Sequence, residues 1–250
     1  MSLEGRRVLV TGGSRGIGAA IVAALVREGA HVALHYGQSR GAAERVAAEL
    51  DGAPVLLAAN LAQAGAGTTL VERAEEVLGG LDGVVNNAGI FAPAPPTAPW
   101  TTWAQVWQET LQVNLVAAAD ITRAALPTFQ RQHRGTLVYI ASRAAFRGDD
   151  PEYLAYAASK GGMVALAKSV ARGYGRDGVV AMTVAPGFVA TEMAQQVAVE
   201  KGTAAIVADI PLGEMAQPAD VAAAVAFLLS DAARHLNGAT LDVNGGSYVR

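Results

Sequence analysis

Cysteine is absent from the 250 residues of this sequence. Disulfide bonds, thiol nucleophiles and cysteine-ligated metals are therefore excluded. Histidine is scarce too: there are four, none in a helical metal-ligand pattern, and we predict no metal site. Charged residues make up only 16% of the chain, and the net charge is −3. This composition offers no basic surface that would favour nucleic-acid binding.

Long apolar runs are also absent, although 52% of the residues are hydrophobic. The run from Val221 to Leu229 falls far short of the roughly 20 residues that a membrane span needs. The first strand begins almost at once, at Val8, which leaves no signal-peptide core. We therefore expect a soluble, cytoplasmic protein in which residues 1–250 form a single domain with a large core.

Short apolar runs alternate with longer helical patterns along the chain. Apolar strands without polar alternation are buried on both faces, which favours a parallel sheet with helices on both sides. We predict an α/β, doubly wound (Rossmann) fold with a mostly parallel seven-stranded sheet. The predicted strands are Arg7–Val10, His31–Tyr36, Val55–Ala59, Gly83–Asn86, Thr136–Ala141, Val179–Val184 and Thr240–Val243. The predicted helices span about 17–28, 41–50, 64–78, 101–130, 155–174 and 218–230.

Two segments break this alternation. Residues 91–99 are rich in proline, and they are too few for a domain boundary, so we expect a loop. Residues 188–217 are less periodic, and we expect them to form a mobile flap near the functional site.

A glycine-rich segment follows the first strand, where residues 11–18 read TGGSRGIG. Gly12, Gly16 and Gly18 allow a tight turn and a close approach to a pyrophosphate, and the following helix offers free N–H groups. The spacing differs from GxGxxG, and no Gly-Lys-Ser/Thr follows that would indicate a triphosphate loop. The segment predicts dinucleotide binding.

The end of the second strand bears on which dinucleotide is bound. An NAD site usually carries an acid there, to bind the ribose 2′-hydroxyl. The corresponding position is near Tyr36, and no acid is present. Arg15 in the glycine loop, with Ser39 and Arg40 after the strand, would suit a 2′-phosphate. We therefore predict NADPH/NADP+, with NADH less favoured.

Tyr156 and Lys160 are four residues apart in the predicted helix 155–174, so they lie on one face, roughly 6 Å apart along the axis. A nearby ammonium favours the phenolate and lowers a tyrosine pKa toward neutrality, which would make an acid/base pair. The alternative is a half-buried tyrosine with a solvated lysine.

Other polar residues stand where strands end. Residues 86–89 read NNAG after the fourth strand, Ser142 ends the fifth, and Pro186-Gly187 with Thr191 follow the sixth. Asn114 stands inside a helix, where a buried amide must be hydrogen-bonded. Taken singly, Ser142 and Asn114 are equally well explained as capping or core residues.

Together these segments resemble the short-chain dehydrogenase/reductase family, over essentially the whole chain. Each motif is weak alone, but the set in this order is specific. The resemblance rests on TGGSRGIG at 11–18, NNAG at 86–89, Asn114, Ser142, Tyr156 with Lys160, PG at 186–187 and VNGG at 243–246. Within the family, residues 185–188, 210–213, 226–228 and 242–246 look most like the 3-oxoacyl-[acyl-carrier-protein] reductase branch, although reductases of other ketones share them.

The resemblance implies a mechanism. NADPH would deliver a hydride to a carbonyl carbon while Tyr156 protonates the oxygen. Lys160 would lower the tyrosine pKa and bind the nicotinamide ribose, Ser142 would donate to the carbonyl oxygen, and Asn114 would hold a water that relays protons to Lys160. The predicted cofactor residues are Gly12, Ser14, Arg15, Gly16, Ile17, Gly18, Tyr36, Ser39, Arg40, Asn60, Leu61, Asn87, Ala88, Gly89, Tyr156, Lys160, Pro186, Gly187, Val189 and Thr191.

The resemblance also implies a homotetramer that acts on a small-molecule or acyl-thioester carbonyl. One departure is Asn60, where the family often has an aspartate that binds adenine; the amide oxygen still accepts a hydrogen bond. Arg143 and Arg147 would either meet an acidic substrate or face solvent or a neighbouring subunit. The alternative functions are an NAD-dependent alcohol or sugar dehydrogenase and a non-catalytic dinucleotide sensor.

Overall fold

The computed structural model describes residues 2–192, 194 and 202–249. In this part of the chain seven strands form one sheet in the order β3-β2-β1-β4-β5-β6-β7, and every neighbouring pair is parallel. The predicted doubly wound α/β fold is confirmed, with a wholly parallel sheet. The strands are β1 (Arg7–Val10), β2 (His31–Tyr36), β3 (Val55–Ala58), β4 (Gly83–Asn86), β5 (Gly135–Ile140), β6 (Val179–Pro186) and β7 (Thr240–Val243).

Helices cover both faces of the sheet and bury its apolar side chains in two layers. On one face α1 and α9 pack together over Val8 and Val10, and on the other α3, α5 and α7 pack over Leu9. This alternation follows from the two-residue period of a strand. The helices are α1 (Gly16–Arg27), α2 (Arg40–Ala48), α3 (Ala66–Leu78), α4 (Trp100–Leu111), α5 (Ala117–Arg131), α6 (Ala144–Arg147), α7 (Leu154–Tyr174), α8 (Thr203–Ala208) and α9 (Pro218–Leu229).

The strand order reverses beside β1. The chain first builds β2 and β3 on one side of β1 and then crosses to place β4 on the other. Successive crossovers therefore diverge at the carboxyl ends of β1 and β4, and a crevice opens between them. We therefore expect the functional site to lie in this crevice.

The predicted helix over 101–130 is interrupted by a wider turn. Helix α4 passes into a π-helical turn at Gln112–Val116, which continues into α5. Such turns are frequent at functional sites because one extra residue per turn redirects a side chain. Asn114 lies in this turn and is fully buried.

The ends of the expected flap are tied to each other. Val189 pairs with Ala216, whose N–H donates to Phe188 O at 3.1 Å. Ile206 in α8 and Ile210 after it are buried. Residues 193 and 195–201 of the expected flap lie outside the described residues, and its mobility remains a prediction. Among the described helices, none has the length and apolar character needed to cross a membrane.

The close packing of the glycine loop predicts a contrast between two helical glycines. A Cβ at Gly18 would overlap Gly12 O, whereas a Cβ at Gly161 would meet nothing closer than Ala145 O at 3.7 Å. We expect Gly18→Ala to destabilise the protein by about 1–3 kcal/mol through overpacking. Gly161→Ala should leave stability unchanged or raise it by up to about 1 kcal/mol, because alanine is the better helix former.

Urea unfolding followed by circular dichroism measures both effects as shifts of the transition midpoint at constant slope. If Gly18→Ala unfolds at the same urea concentration as Gly161→Ala, the glycine loop accommodates a methyl group at position 18 and the predicted overpacking is wrong.

Candidate active site

The glycine loop forms the floor of the crevice. Gly12 and Gly16 have φ values of +65° and +53°, in the left-handed region that favours glycine. The side chain of Arg15 makes no capping hydrogen bond to α1, and the first turn of α1 carries no acid. The N-terminus of α1 therefore keeps donor capacity and a positive dipole end for an anion, as a pyrophosphate requires.

A buried histidine supports this loop from below. His35 is 3% exposed; Gly12 N donates to its Nδ1 at 3.1 Å, and its Nε2 lies 3.1 Å from Ala59 O. Because Nδ1 accepts, Nε2 carries the hydrogen and donates to Ala59 O. Burial lowers the pKa of His35, which keeps the ring neutral. Sequence reasoning missed this role, since its only local signal is a histidine in an apolar strand.

Side chains directly after β1 and β4 join the glycine loop to the NNAG segment. Thr11 Oγ1 accepts from Asn87 N at 2.9 Å and from Ala88 N at 3.0 Å. Asn87 Nδ2 donates to Thr11 O at 2.8 Å and Gly12 O at 3.1 Å. The structure thus brings the predicted Gly12, Asn87 and Ala88 together at the crevice.

The residues that we predict to favour NADPH over NADH lie at or near the end of β2. Tyr36 is buried at this end, and the exposed Ser39 and Arg40 follow it. Arg40 forms an exposed ion pair with Glu44 at 2.8 Å. Arg15 is exposed as well, 3.7 Å from a carboxylate oxygen of Glu192. Because such exposed pairs are weak, both guanidinium groups are available to a stronger anion.

The other predicted cofactor residues lie after β3, around the end of β6, and on the glycine loop with the start of α1. Asn60 is exposed, and its Oδ1 accepts from Ala62 N at 3.1 Å, while Leu61 is buried. After β6 the chain passes Gly187 and the buried Val189 to Thr191, whose Cγ2 would lie 3.4 Å from a Cβ placed on Gly16. The start of the flap therefore lies beside the glycine loop.

The remaining predicted cofactor residues lie where the sequence placed them. Ser14, Ile17 and Gly18 lie on the loop and the first turn of α1, and Pro186 ends β6.

Tyr156 faces Ser142 across the end of β5. The Ser142 side chain is near enough to Tyr156 to favour its phenolate, and Ser142 Oγ accepts from Ala144 N at 3.1 Å. Burial raises the pKa of the half-buried Tyr156 to about 12, although Ser142 acts in the opposite direction. In the protein alone, the tyrosine pKa is therefore raised, and the decrease that we expected from Lys160 is not found.

Lys160 is 4% exposed, so it is not a solvated lysine. Its Nζ donates to Ile140 O at 2.8 Å and lies 5.7 Å from the centre of the Tyr156 ring. Burial without a carboxylate partner in the described chain lowers the lysine pKa to about 8. The ammonium thus lies beside the phenol ring. Its pKa is close enough to neutral pH for a fraction of the lysine to lose its proton there.

Asn114 links the π-helical turn to both neighbouring elements. Its Oδ1 accepts from Ile90 N at 2.8 Å, and its Nδ2 donates to Ile90 O and to Ser159 Oγ, both at 3.0 Å. A Cβ on Gly89 would lie 3.3 Å from Asn114 Oδ1 and 3.4 Å from Lys160 Nζ. Glycine at position 89 therefore keeps open a space that both polar groups border.

Two aromatic side chains that the sequence did not single out position Tyr156. Phe91 meets Tyr156 edge to face, with centroids 4.8 Å apart, and stacks on Tyr153 at 3.8 Å. Ala94 N donates to Glu152 O at 2.7 Å, which fastens the proline-rich loop to the turn before α7. This loop therefore forms one wall around the tyrosine.

Comparison with known sequences adds independent evidence. The family model described as enoyl-(acyl carrier protein) reductase matches residues 12–248. The 3-oxoacyl-[acyl-carrier-protein] reductase FabG of Staphylococcus aureus (strain Mu50) is 34% identical over 247 residues, which cover 98% of each chain. Nodulation protein G of Rhizobium sp. (strain N33) is 38% identical over 248 residues, 98% of this chain and 97% of that protein.

Comparison with solved structures agrees. A putative NAD(P)-dependent gluconate 5-dehydrogenase from Beutenbergia cavernae, crystallised with NADP bound at low occupancy, superposes with a TM-score of 0.90. The two sequences are 34% identical, and the match covers 98% of both chains. At this identity and coverage the likeness extends beyond the fold to the family.

The buried ammonium of Lys160 predicts a gain in stability when it is removed. Its pKa is about 8 in the folded chain against 10.5 as the ordinary value, so below pH 8 the folded state carries a charge that it disfavours. We expect Lys160→Met to raise the free energy of unfolding at pH 7 by up to about 3 kcal/mol. The gain should shrink as pH rises from 8 to 10.5, because wild type then sheds the proton on folding.

Denaturant unfolding at pH 7, 8.5 and 10 tests this, with Lys168→Met, an exposed lysine of α7, as the matched control. A variant less stable than wild type at every pH would show that the Ile140 hydrogen bond outweighs the cost of burial.

Proposed function

We infer the reaction from one premise: the chain belongs to the short-chain dehydrogenase/reductase family, a family of NAD(P)-dependent oxidoreductases. On this premise we propose that it reduces a carbonyl group to a secondary alcohol with NADPH. The observation that carries the proposal is the buried Lys160, whose Nζ donates to Ile140 O at the end of β5 and lies 5.7 Å from the centre of the Tyr156 ring, with Ser142 following the same strand.

The residues of the crevice suit NADP(H). The free N-terminus of α1 and the left-handed glycines would hold the pyrophosphate. Arg15, Ser39 and Arg40 would bind the 2′-phosphate, which a carboxylate at the end of β2 would repel. The relative from Beutenbergia cavernae supports this choice, because its structure contains NADP. When bound, NADPH supplies the hydride.

The chain's own groups then act on the carbonyl oxygen. Ser142 donates a hydrogen bond to this oxygen as it gains negative charge. Tyr156 gives the same oxygen its proton, which its raised pKa keeps on the phenol at neutral pH. Phe91 fixes the ring, so the hydroxyl is aimed before the substrate arrives.

Lys160 restores the proton that Tyr156 loses. Its positive charge stabilises the phenolate, and its pKa of about 8 allows proton exchange near neutrality. We propose that Asn114 holds a water in the space beside Gly89, from which protons reach Lys160 Nζ. The proposal is supported by Asn114 Oδ1 and Lys160 Nζ bordering the same point.

The substrate class that the relatives favour is a 3-oxoacyl thioester, since several are named 3-oxoacyl-[acyl-carrier-protein] reductase. A sugar-acid dehydrogenase is the second candidate, which the name of the structural relative favours. A non-catalytic sensor is disfavoured because the complete polar set is present. The homotetramer, the single domain and the cytoplasmic location remain predictions from the sequence.

The role of the Tyr156 hydroxyl predicts a specific kinetic loss. Tyr156→Phe should lower kcat for ketone reduction by about 10²–10⁴-fold, because the proton donor is gone. NADPH binding, measured by cofactor fluorescence, should remain within a few-fold of wild type. Tyr174→Phe, at the far end of α7, is the matched control. A Tyr156→Phe enzyme with near-full kcat would remove this hydroxyl from the chemistry.

The basic residues after β2 predict a preference for NADPH. We expect kcat/KM to be higher with NADPH than with NADH by about tenfold or more, because charge-assisted hydrogen bonds to the 2′-phosphate are lost with NADH. Arg40→Gln should reduce this ratio, and Arg45→Gln, on the same helix, should not. Steady-state kinetics with both cofactors decide the matter, and a higher kcat/KM with NADH would refute the preference.

A further inference from the structure

Two arginines directly after Ser142 converge on one carboxylate. Arg143 and Arg147 are four residues apart around α6, so their side chains share a face. Their Nη1 atoms lie 3.0 Å and 2.7 Å from Oδ2 of Asp209. Asp209 follows α8, in the segment after β6. The contact therefore joins the residue next to Ser142 to the end of α8.

Arg143 is a fixed and buried cation. It is 8% exposed, its backbone N–H donates to Pro186 O at 2.9 Å, and its guanidinium lies 4.8 Å from the centre of the Phe188 ring. Of the alternatives that the sequence left open for Arg143, exposure to solvent is therefore wrong. A buried guanidinium needs an anion, and a guanidinium held on an aromatic face specifies where that anion lies.

The present anion is held loosely. The side chain of Asp209 is 52% exposed, and that of Arg147 is 40% exposed. The Arg147–Asp209 pair, which is exposed on both sides, contributes little to stability, because water solvates the separated charges well. A different carboxylate or a phosphate at the same position would exchange with Asp209 at small cost, while Arg143 stays paired.

The arginines and the proposed proton donor share one charged neighbourhood. The charge of Asp149 acts on the Tyr156 hydroxyl and on both guanidinium groups. A second anion beside Asp209 would meet the repulsion of Asp149 as well. An incoming anion that replaced Asp209 would meet the repulsion of Asp149 alone, whereas one that joined Asp209 would meet the repulsion of both carboxylates.

We propose that Arg143 and Arg147 bind an anionic group of the carbonyl substrate, and that Asp209 occupies this site until the substrate displaces it. The inference rests on the proposed carbonyl reduction and narrows its substrate to carbonyl compounds that carry a carboxylate or phosphate. The fork of each guanidinium matches either anion. Arg143 and Arg147 thus determine specificity, while Ser142 and Tyr156 act on the carbonyl.

Matched pairs of ketones test the proposal with the full-length enzyme and NADPH. Acetoacetate is compared with its neutral ethyl ester, and dihydroxyacetone phosphate with dihydroxyacetone, which separates carboxylate from phosphate recognition. The variants are Asp209→Asn, which removes the internal anion, and Arg147→Gln, which removes the more exposed cation. Arg27→Gln, on the exposed end of α1, is the matched control.

We expect opposite effects of the two variants on anionic substrates. Asp209→Asn should raise kcat/KM for the preferred anionic ketone several-fold, and Arg147→Gln should lower it by about tenfold or more. Both should leave the neutral ketones within about twofold of wild type. In a thermal-shift assay, malonate or inorganic phosphate should stabilise Asp209→Asn more than wild type, and Arg147→Gln least.

A merely structural ion pair gives a different result. If Asp209→Asn lowers kcat/KM equally for charged and neutral ketones, or leaves both unchanged, the proposal is overturned. If no ketone is reduced by any variant, carbonyl reduction fails instead. The thermal-shift assay then still decides whether the arginines bind an added anion.

Discussion

The site depends on one ammonium group kept out of water. Lys160 is 4% exposed and donates to the carbonyl of Ile140 at the end of β5. A carbonyl dipole compensates a full charge only in part, so the charged form is disfavoured and the lysine pKa falls to about 8. Burial of this ammonium therefore lowers the stability of the fold. It also places a group with a pKa near neutrality beside Tyr156.

The surrounding polar groups hold this arrangement in place. The π-helical turn Gln112–Val116 directs Asn114 toward Ile90 and Ser159, which ties the segment after β4 to α7. Phe91, the next residue, packs its ring edge to face with Tyr156. The loop after β4 is thus tied to α7 and packs against the tyrosine ring.

Within the crevice, the residues proposed to bind the cofactor lie apart from those proposed to act on the carbonyl. In our proposal the glycine loop and the end of β2 bind the anionic groups of the cofactor, while Ser142, which follows β5, and Tyr156 act on the carbonyl. Arg143 extends the polar surface toward the segment after β6, where Asp209 meets it. Because these groups come from the carboxyl ends of several parallel strands, each can vary without disturbing the sheet.

Local patterns predicted much of the molecule. Apolar stretches such as the predicted strand Thr136–Ala141 indicated the parallel sheet, and the observed strand Gly135–Ile140 is buried at every position. The pair Tyr156 and Lys160 followed from helical spacing, and the glycine loop from its turn chemistry. The tyrosine pKa was predicted in the wrong direction for the protein alone, because spacing shows a neighbouring charge but not the depth of burial.

The sequence by itself therefore determined the order of strands and helices, the loop that opens α1, and the residues that share a helical face. Tertiary structure alone decided that His35 supports the glycine loop, that Phe91 packs on Tyr156, and that Asp209 pairs with Arg143. These contacts join residues 23, 65 and 66 positions apart. Periodicity and turn chemistry act over a few residues, whereas such pairs exist only once the sheet has brought distant segments together.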